Sequence, residues 1–186
     1  MAALRKEGAV TQNLDPKDGD LRVTLLDAPL SIFDNLDIFI NATYPKGCNE
    51  HIDSFLATER IAERMKRGSI VLLSSIYGMV GADYSLYADL DMDMPVEYSF
   101  IKGGIISMTR TLATKYGPGL RVNCVSPGGV FDNQDVRFVR RYEKKVPLGR
   151  MATPEDIAEP IVFLASDKAR YITGINLPIC GGLCAW

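Results

Sequence analysis

The sequence predicts an α/β fold, a Rossmann-like parallel sheet with helices on both faces, on three observations. Short apolar segments alternate with longer helical ones along most of the chain, which is the trace that βαβ units leave. The short segments are apolar at almost every position instead of every second one, so both faces of their sheet must be covered. The chain has 186 residues, 47% of them hydrophobic, enough for one domain with a full core and no need of disulfides or metal. Residues 1–186 are therefore read as a single domain.

Taken in order, LRVTLL (Leu21–Leu26) reads as a short strand after the loop PKDGD, and LDIFIN (Leu36–Asn41) as a second, buried one. His51–Arg67 is helical, with Ile52, Phe55, Leu56, Ala62 and Met65 near one face. SIVLLSS (Ser69–Ser75) is a third strand, and Tyr77–Met94, rich in Gly, Asp, Met and Tyr, is a loop. Pro95–Tyr116 is a long helix with Ile101, Ile105, Met108 and Leu112 in an apolar stripe, stopped by Gly117-Pro118-Gly119. LRVNCV (Leu120–Val125) is the next strand, ended by Pro127-Gly128-Gly129, and a charged helix follows over Gln134–Lys145. Thr153 as N-cap, Pro154 at the first helical position and two acids behind it start another helix, which runs to Ser166 with a kink expected at Pro160. INLPIC (Ile175–Cys180) is the last strand, before Gly181-Gly182.

Charge and composition exclude several classes. The 21 basic and 23 acidic residues leave a net charge of −2, with no surplus to hold a nucleic acid. No apolar run approaches the ~18 residues of a transmembrane helix, and the polar N-terminus lacks the apolar stretch of a signal peptide. A cytoplasmic protein with neither a nucleic-acid nor a membrane partner is expected. The four cysteines, Cys48, Cys124, Cys180 and Cys184, are irregularly spaced and accompanied by a single histidine, His51. Reduced thiols and no metal site are the expectation.

In an open parallel sheet, ligands bind beyond the C-terminal ends of the strands. Asn41-Ala42-Thr43, Ser74-Ser75, Ser126-Pro127-Gly128-Gly129 and Gly181-Gly182 all fall at such ends. Tyr98 and Lys102 lie one turn apart on one face of the long helix. A tyrosine, with a pKa of ~10, is a poor acid–base group at neutral pH until a cation beside it favours the phenolate. A hydroxyl from a neighbouring strand end, such as Ser75, would hold a substrate oxygen beside that phenol. Together the three could pass a proton to or from an alcohol or carbonyl while a cofactor moves the hydride. The four-residue spacing alone describes a surface pair equally well. Its place between a strand ending in Ser-Ser and one ending in Ser-Pro-Gly is what singles it out.

From Leu36 to its C-terminus the chain resembles the short-chain dehydrogenase/reductase family. LDIFINATYP is similar to the family's strand followed by Asn-Asn-Ala-Gly, SIVLLSSIYG to its serine strand, and EYSFIKGGIISMTRTLA to its Tyr-Lys helix. RVNCVSPGGV resembles its Asn-x-x-x-Pro-Gly segment, and GRMATPEDIAEPIVFLASDKARYITG its C-terminal helix and Thr-Gly turn. The resemblance implies an oxidoreductase that uses NAD or NADP on a hydroxyl/carbonyl pair of a small, sugar-like substrate. It implies catalytic roles for Ser75 (substrate oxygen), Tyr98 (proton exchange) and Lys102 (tuning the phenol and holding the ribose). It also puts Asn41, Tyr98, Lys102, Pro127, Gly128 and Val130 along the nicotinamide side of the cofactor. The segments IYGMVGADYSLY, MPVEY and PGGVFDNQ and the CAW end are similar to a branch linked to flagellin modification and sialic-acid-like sugars. Family members pair through their two long helices and last strand, so a homo-oligomer, dimer or tetramer, is implied, with Trp186 placed for burial.

The family pattern is incomplete at the N-terminus. Family members begin with a strand and a Gly-x-x-x-Gly-x-Gly turn that holds the cofactor pyrophosphate, whereas only Gly8 and Gly19 precede Gly47 here. Residues 1–35 are divergent and lack the first strands of the nucleotide-binding half. Ala42 replaces the second Asn, Asp132 the Thr beyond Pro-Gly, and Cys180 the Asp before the final Gly-Gly. With the strand order 3-2-1-4-5-6, losing two strands opens the edge of LDIFIN: LRVTLL pairs with it, another chain covers it, or the polypeptide is a fragment. A second expectation therefore stands beside the first: a non-catalytic member of the same fold, a pseudoenzyme or assembly subunit without the pyrophosphate site.

Overall fold

The structure, a computed structural model, describes residues 35–43 and 48–185. The expected strand Leu21–Leu26, Trp186 and the side chain of His51 lie outside the described residues. Four strands form the sheet: β1 (Ile38–Asn41), β2 (Gly68–Leu73), β3 (Leu120–Pro127) and β4 (Asn176–Ile179). They lie side by side in that order and every pair is parallel, with Asn41 opposite Leu72, Leu73 opposite Val125 and Pro127 opposite Ile179. LDIFIN, SIVLLSS and LRVNCV are thus neighbours, as strands apolar on both faces require.

The helices are α1 (Cys48–Arg64), α2 (Val96–Tyr116), α3 (Val136–Glu143) and α4 (Pro154–Ala165). Alternation along the strands divides their side chains between two layers. Ile70 and Leu72 of β2 and Val122 and Cys124 of β3 share a core with α1 and α2, while Val71 and Val125 share another with Leu164 and Ala165 of α4. Each aliphatic side chain so buried contributes about 1.5–3 kcal/mol. A third cluster joins Leu86 and Tyr87 to Phe138 and Tyr142 of α3, with Val146 and Met151. Among the described residues no helix is long and apolar enough to cross a membrane.

The elements differ from expectation in a few places. Helix α1 starts and ends about three residues early, because Gly68, at φ +128°, turns the chain into β2 with its Cα against Asp37. Its buried face is Ser54, Ala57, Thr58, Ile61 and Ala62, with Met65 just beyond, whereas Ile52 and Leu56 are exposed. Small and hydroxylated residues face the sheet because α1 lies close to β1 and receives a polar side chain from it (below). Helix α4 continues unbroken through Pro160. Its start is as expected: Thr153 and Asp156 bond reciprocally as a capping box. Its C-terminal end is held by Arg121 of β3, whose guanidinium donates to the carbonyls of Leu164 (2.8 Å), Ser166 (3.0 Å) and Ala165 (3.3 Å). That arrangement satisfies acceptors every helix terminus leaves open.

Candidate active site

The C-terminal ends of β1, β2 and β3 lie on one edge of the sheet, and the candidate residues sit there. At the end of β2 the chain turns through a short 3-10 helix, Ile76–Gly78, whose N-cap is Ser75. Ser75 is buried, and its Oγ accepts a hydrogen bond from the Tyr77 backbone N–H at 3.2 Å. The hydroxyl proton of Ser75 meets no acceptor among the described residues.

Two reciprocal bonds fasten α2 to this strand end. Ser74 Oγ donates to the Lys102 carbonyl at 2.7 Å, and Lys102 Nζ donates to the Leu73 carbonyl at 3.1 Å. Gly78 makes the approach possible, since a Cβ there would lie 2.6 Å from the Lys102 carbonyl carbon and 2.9 Å from Gly103 N. Lys102 is only 4% exposed, and burial lowers its amine from 10.5 to about 8. Its Nζ stands 5.6 Å from the centre of the Tyr98 ring. The structure therefore brings Ser75, Tyr98 and Lys102 to one strand end, with the lysine stem threaded through the packing between α2 and β2.

The remaining expected residues divide. Pro127 ends β3, the Gly128 N–H donates to Ile179 O at 2.9 Å, and Val130 bridges to Ala152. Gly128 and Gly129 border a cleft of about 140 Å³ between the ends of β3 and β4. Both glycines lie against Tyr142, whose hydroxyl accepts the Gly129 N–H at 2.5 Å. Asn41 points elsewhere. Its Nδ2 donates to Ser54 Oγ (2.9 Å) and Thr58 Oγ1 (2.8 Å) of α1, and its Oδ1 accepts from the backbone N–H and hydroxyl of Thr43. The carboxamide is fully used: its N–H groups join β1 to α1, which is why α1 presents hydroxyls to the sheet, and its oxygen holds Thr43.

Sequence reasoning missed Gly78, Tyr77 and Tyr87. The tyrosines lie in the segment read as a loop, and their hydroxyls meet at 2.9 Å. The only signal was the density of tyrosine in that segment. Among the described residues no three His, Cys, Asp or Glu side chains cluster as metal ligands would.

A parallel sheet carrying a serine at one strand end and a Tyr-x-x-x-Lys helix packed over it defines a class of nicotinamide-dependent oxidoreductases. Residues 48–184 match the family model described as enoyl-(acyl carrier protein) reductase, and the chain belongs to the short-chain dehydrogenase/reductase family. It is 32% identical over 202 residues to an L-rhamnose 1-dehydrogenase (NAD(P)(+)) of Azotobacter vinelandii, covering 94% of this chain and 75% of that one. It is 30% identical over 181 residues to post-translational flagellin modification protein A of Campylobacter coli, covering 84% and 71%. A solved short-chain dehydrogenase from Leptospira borgpetersenii with bound NAD+ superposes with a TM-score of 0.71 at 31% identity, covering 94% of this chain and 80% of that one. The chain spans only 47–59% of the length of several other curated relatives.

Proposed function

We propose that the chain is an NAD(P)-dependent oxidoreductase that moves a hydride at a hydroxyl/carbonyl carbon of a small, sugar-like substrate. The observation that carries this reading is the buried Lys102 ammonium beside Tyr98, at the strand end where the Ser75 hydroxyl proton meets no acceptor among the described residues. A family member that has lost its chemistry has no need to bury a lysine. The relatives point the same way, since one is named for L-rhamnose and NAD(P)(+) and a solved neighbour holds NAD+.

The residues present fit the nicotinamide end of the cofactor. A buried ammonium suits ribose hydroxyls, and the cleft bordered by the two glycines after Pro127 opens at the neighbouring strand end. When bound, NAD(P) supplies the hydride acceptor or donor. Ser75 donates its hydroxyl proton to the reacting oxygen and so fixes it beside Tyr98. Tyr98 takes the proton from an alcohol, or gives it to a carbonyl. Lys102, at about 8 still mostly charged at pH 7, sets a positive charge beside the phenol, the arrangement that lets a tyrosine exchange its proton near neutrality. Asn41 acts through structure, holding β1 against α1. A cytoplasmic location accords with this chemistry, and pairing through α1 and α2 would cover Val96 and Phe100, which are among the most exposed apolar residues.

The test is Tyr98→Phe. Hydride transfer, followed by NAD(P)H absorbance with a panel of free and nucleotide-linked monosaccharides, should fall by ~10²–10⁴-fold. NADH binding, read by nicotinamide fluorescence, should remain. Turnover equal to the parent's would remove Tyr98 from the reaction.

A further inference from the structure

Tyr77 and Tyr87 are ten residues apart in the chain and meet hydroxyl to hydroxyl at 2.9 Å. Tyr77 is tied to the site, because its backbone N–H holds Ser75 Oγ. Tyr87 is buried, packs its ring 5.4 Å from that of Phe138, and lies within electrostatic reach of the Tyr98 and Tyr142 phenols. Burial pushes the Tyr77 hydroxyl well above the ordinary phenol range and raises that of Tyr87. They are neutral at any physiological pH, which leaves them hydrogen bonding as their only chemistry.

A phenol carries one proton and two lone pairs. Their mutual contact uses one of the two protons, and neither hydroxyl has a second partner among the described residues. One proton and three lone pairs remain for a ligand. The pair is also held in place. Arg137 donates to the Asp89 carbonyl (3.1 Å), Arg141 to those of Leu86 (3.3 Å) and Ala88 (2.5 Å), and Lys145 to the Asp83 carboxylate and Ser85 Oγ. These three cations, four residues apart along α3 and the turn after it, clamp the segment that carries Tyr87.

We propose that the Tyr77–Tyr87 hydroxyl pair is the specificity element of this site. It takes up a second hydroxyl of a polyhydroxylated substrate while Ser75 and Tyr98 hold the reacting oxygen. The inference rests on the oxidoreductase reading above and deepens it by naming what selects a sugar over an apolar alcohol. A site built to bond a hydroxyl discriminates strongly against analogues lacking it, because its own buried groups are then left unpaired.

The experiment compares Tyr77→Phe and Tyr87→Phe with the parent chain, using a monosaccharide panel that includes L-rhamnose, and cyclohexanol as the apolar alcohol. Two readouts are taken: steady-state kinetics with NAD+ and NADP+, and sugar binding by saturation-transfer NMR. Each variant should raise the sugar KM by ~10-fold or more and lower the sugar-to-cyclohexanol ratio of kcat/KM by the same factor. The sugar saturation signal should fall in parallel, with melting temperatures close to the parent's. An unchanged ratio and signal would overturn the proposal. So would an equal loss on both substrates, which would reduce the pair to a prop for Ser75. A parent chain that oxidises cyclohexanol but binds no sugar refutes the inference and leaves the oxidoreductase reading standing. Sugar binding that depends on the pair, without hydride transfer to either substrate, supports the inference and refutes that reading.

Discussion

Replacing Lys102 with methionine should make the protein more stable at neutral pH while removing its activity. Lys102 is 4% exposed, and burial holds its amine at about 8 instead of 10.5. Between those values the unfolded chain binds the proton and the folded chain does not, so stability rises with pH there. The cost of the buried ammonium is therefore fully present below pH 8, fades as the pH climbs to 10.5, and is gone above it. The two values lie between two and three pH units apart, which is on the order of 3 kcal/mol. Against this stands the bond from Nζ to the Leu73 carbonyl, worth ~1.5–3 kcal/mol from a charged donor and ~0.5–1.5 kcal/mol from a neutral amine. Methionine fills the stem's space without the charge. Lys102→Met should then gain about 1 kcal/mol at pH 7 and lose about 1 kcal/mol at pH 10.5. Urea unfolding followed by far-ultraviolet circular dichroism across that range measures the difference, with Tyr98→Phe in both proteins so that the phenol beside Lys102 does not titrate. A difference that does not change sign, or a parent more stable at pH 7, would show that Lys102 does not carry its charge in a dry site.

Three further outcomes are expected. Gly78→Ala should cost ~1–3 kcal/mol in urea unfolding and lower kcat, since its Cβ would press into the Lys102 backbone and shift Ser75 away from α2. Asn41→Leu should destabilise by ~1–3 kcal/mol, because Ser54 and Thr58 lose the amide N–H groups they accept from. Its NADH affinity should stay within about twofold of the parent's by fluorescence titration, and a large loss would mean that the carboxamide leaves α1 to meet the cofactor. Phe100→Glu, at a position 81% exposed on α2, should shift the mass seen by light scattering from oligomer to monomer with no loss of melting temperature. A parent chain already monomeric at micromolar concentration would refute pairing through this face.

The parallel sheet was legible because its strands lack alternation, and the meeting of Ser75, Tyr98 and Lys102 at one strand end because they sit beside apolar strands and a long periodic helix. What stayed hidden depended on facing partners. The apolar face of α1 was misread, since Ile52 and Leu56 fit a helical stripe while the true contact surface includes Ser54 and Thr58, which are buried only because Asn41 reaches them. A count of hydrophobic residues cannot register a hydroxyl whose partner is thirteen or seventeen positions away. The role of Gly78 was equally invisible, because a close approach of two backbones leaves no mark beyond the missing side chain. Tyr77 and Tyr87 lie in a segment without periodicity, where only the fold decides which hydroxyls meet.

The latch between β2 and α2 has a consequence for how such a protein can change over generations. Each of its two bonds runs from a side chain to a main-chain carbonyl, those of Lys102 and Leu73. Carbonyls are common to every residue, so the acceptor half of the latch is immune to mutation, and the alignment of Tyr98 with Ser75 depends on few side chains. The tyrosine-bearing segment 77–94 is held by a separate set of cations on and just after α3. Divergence that spares Gly78 can therefore rewrite that segment, and with it the preferred substrate, while the proton-transfer geometry is inherited intact.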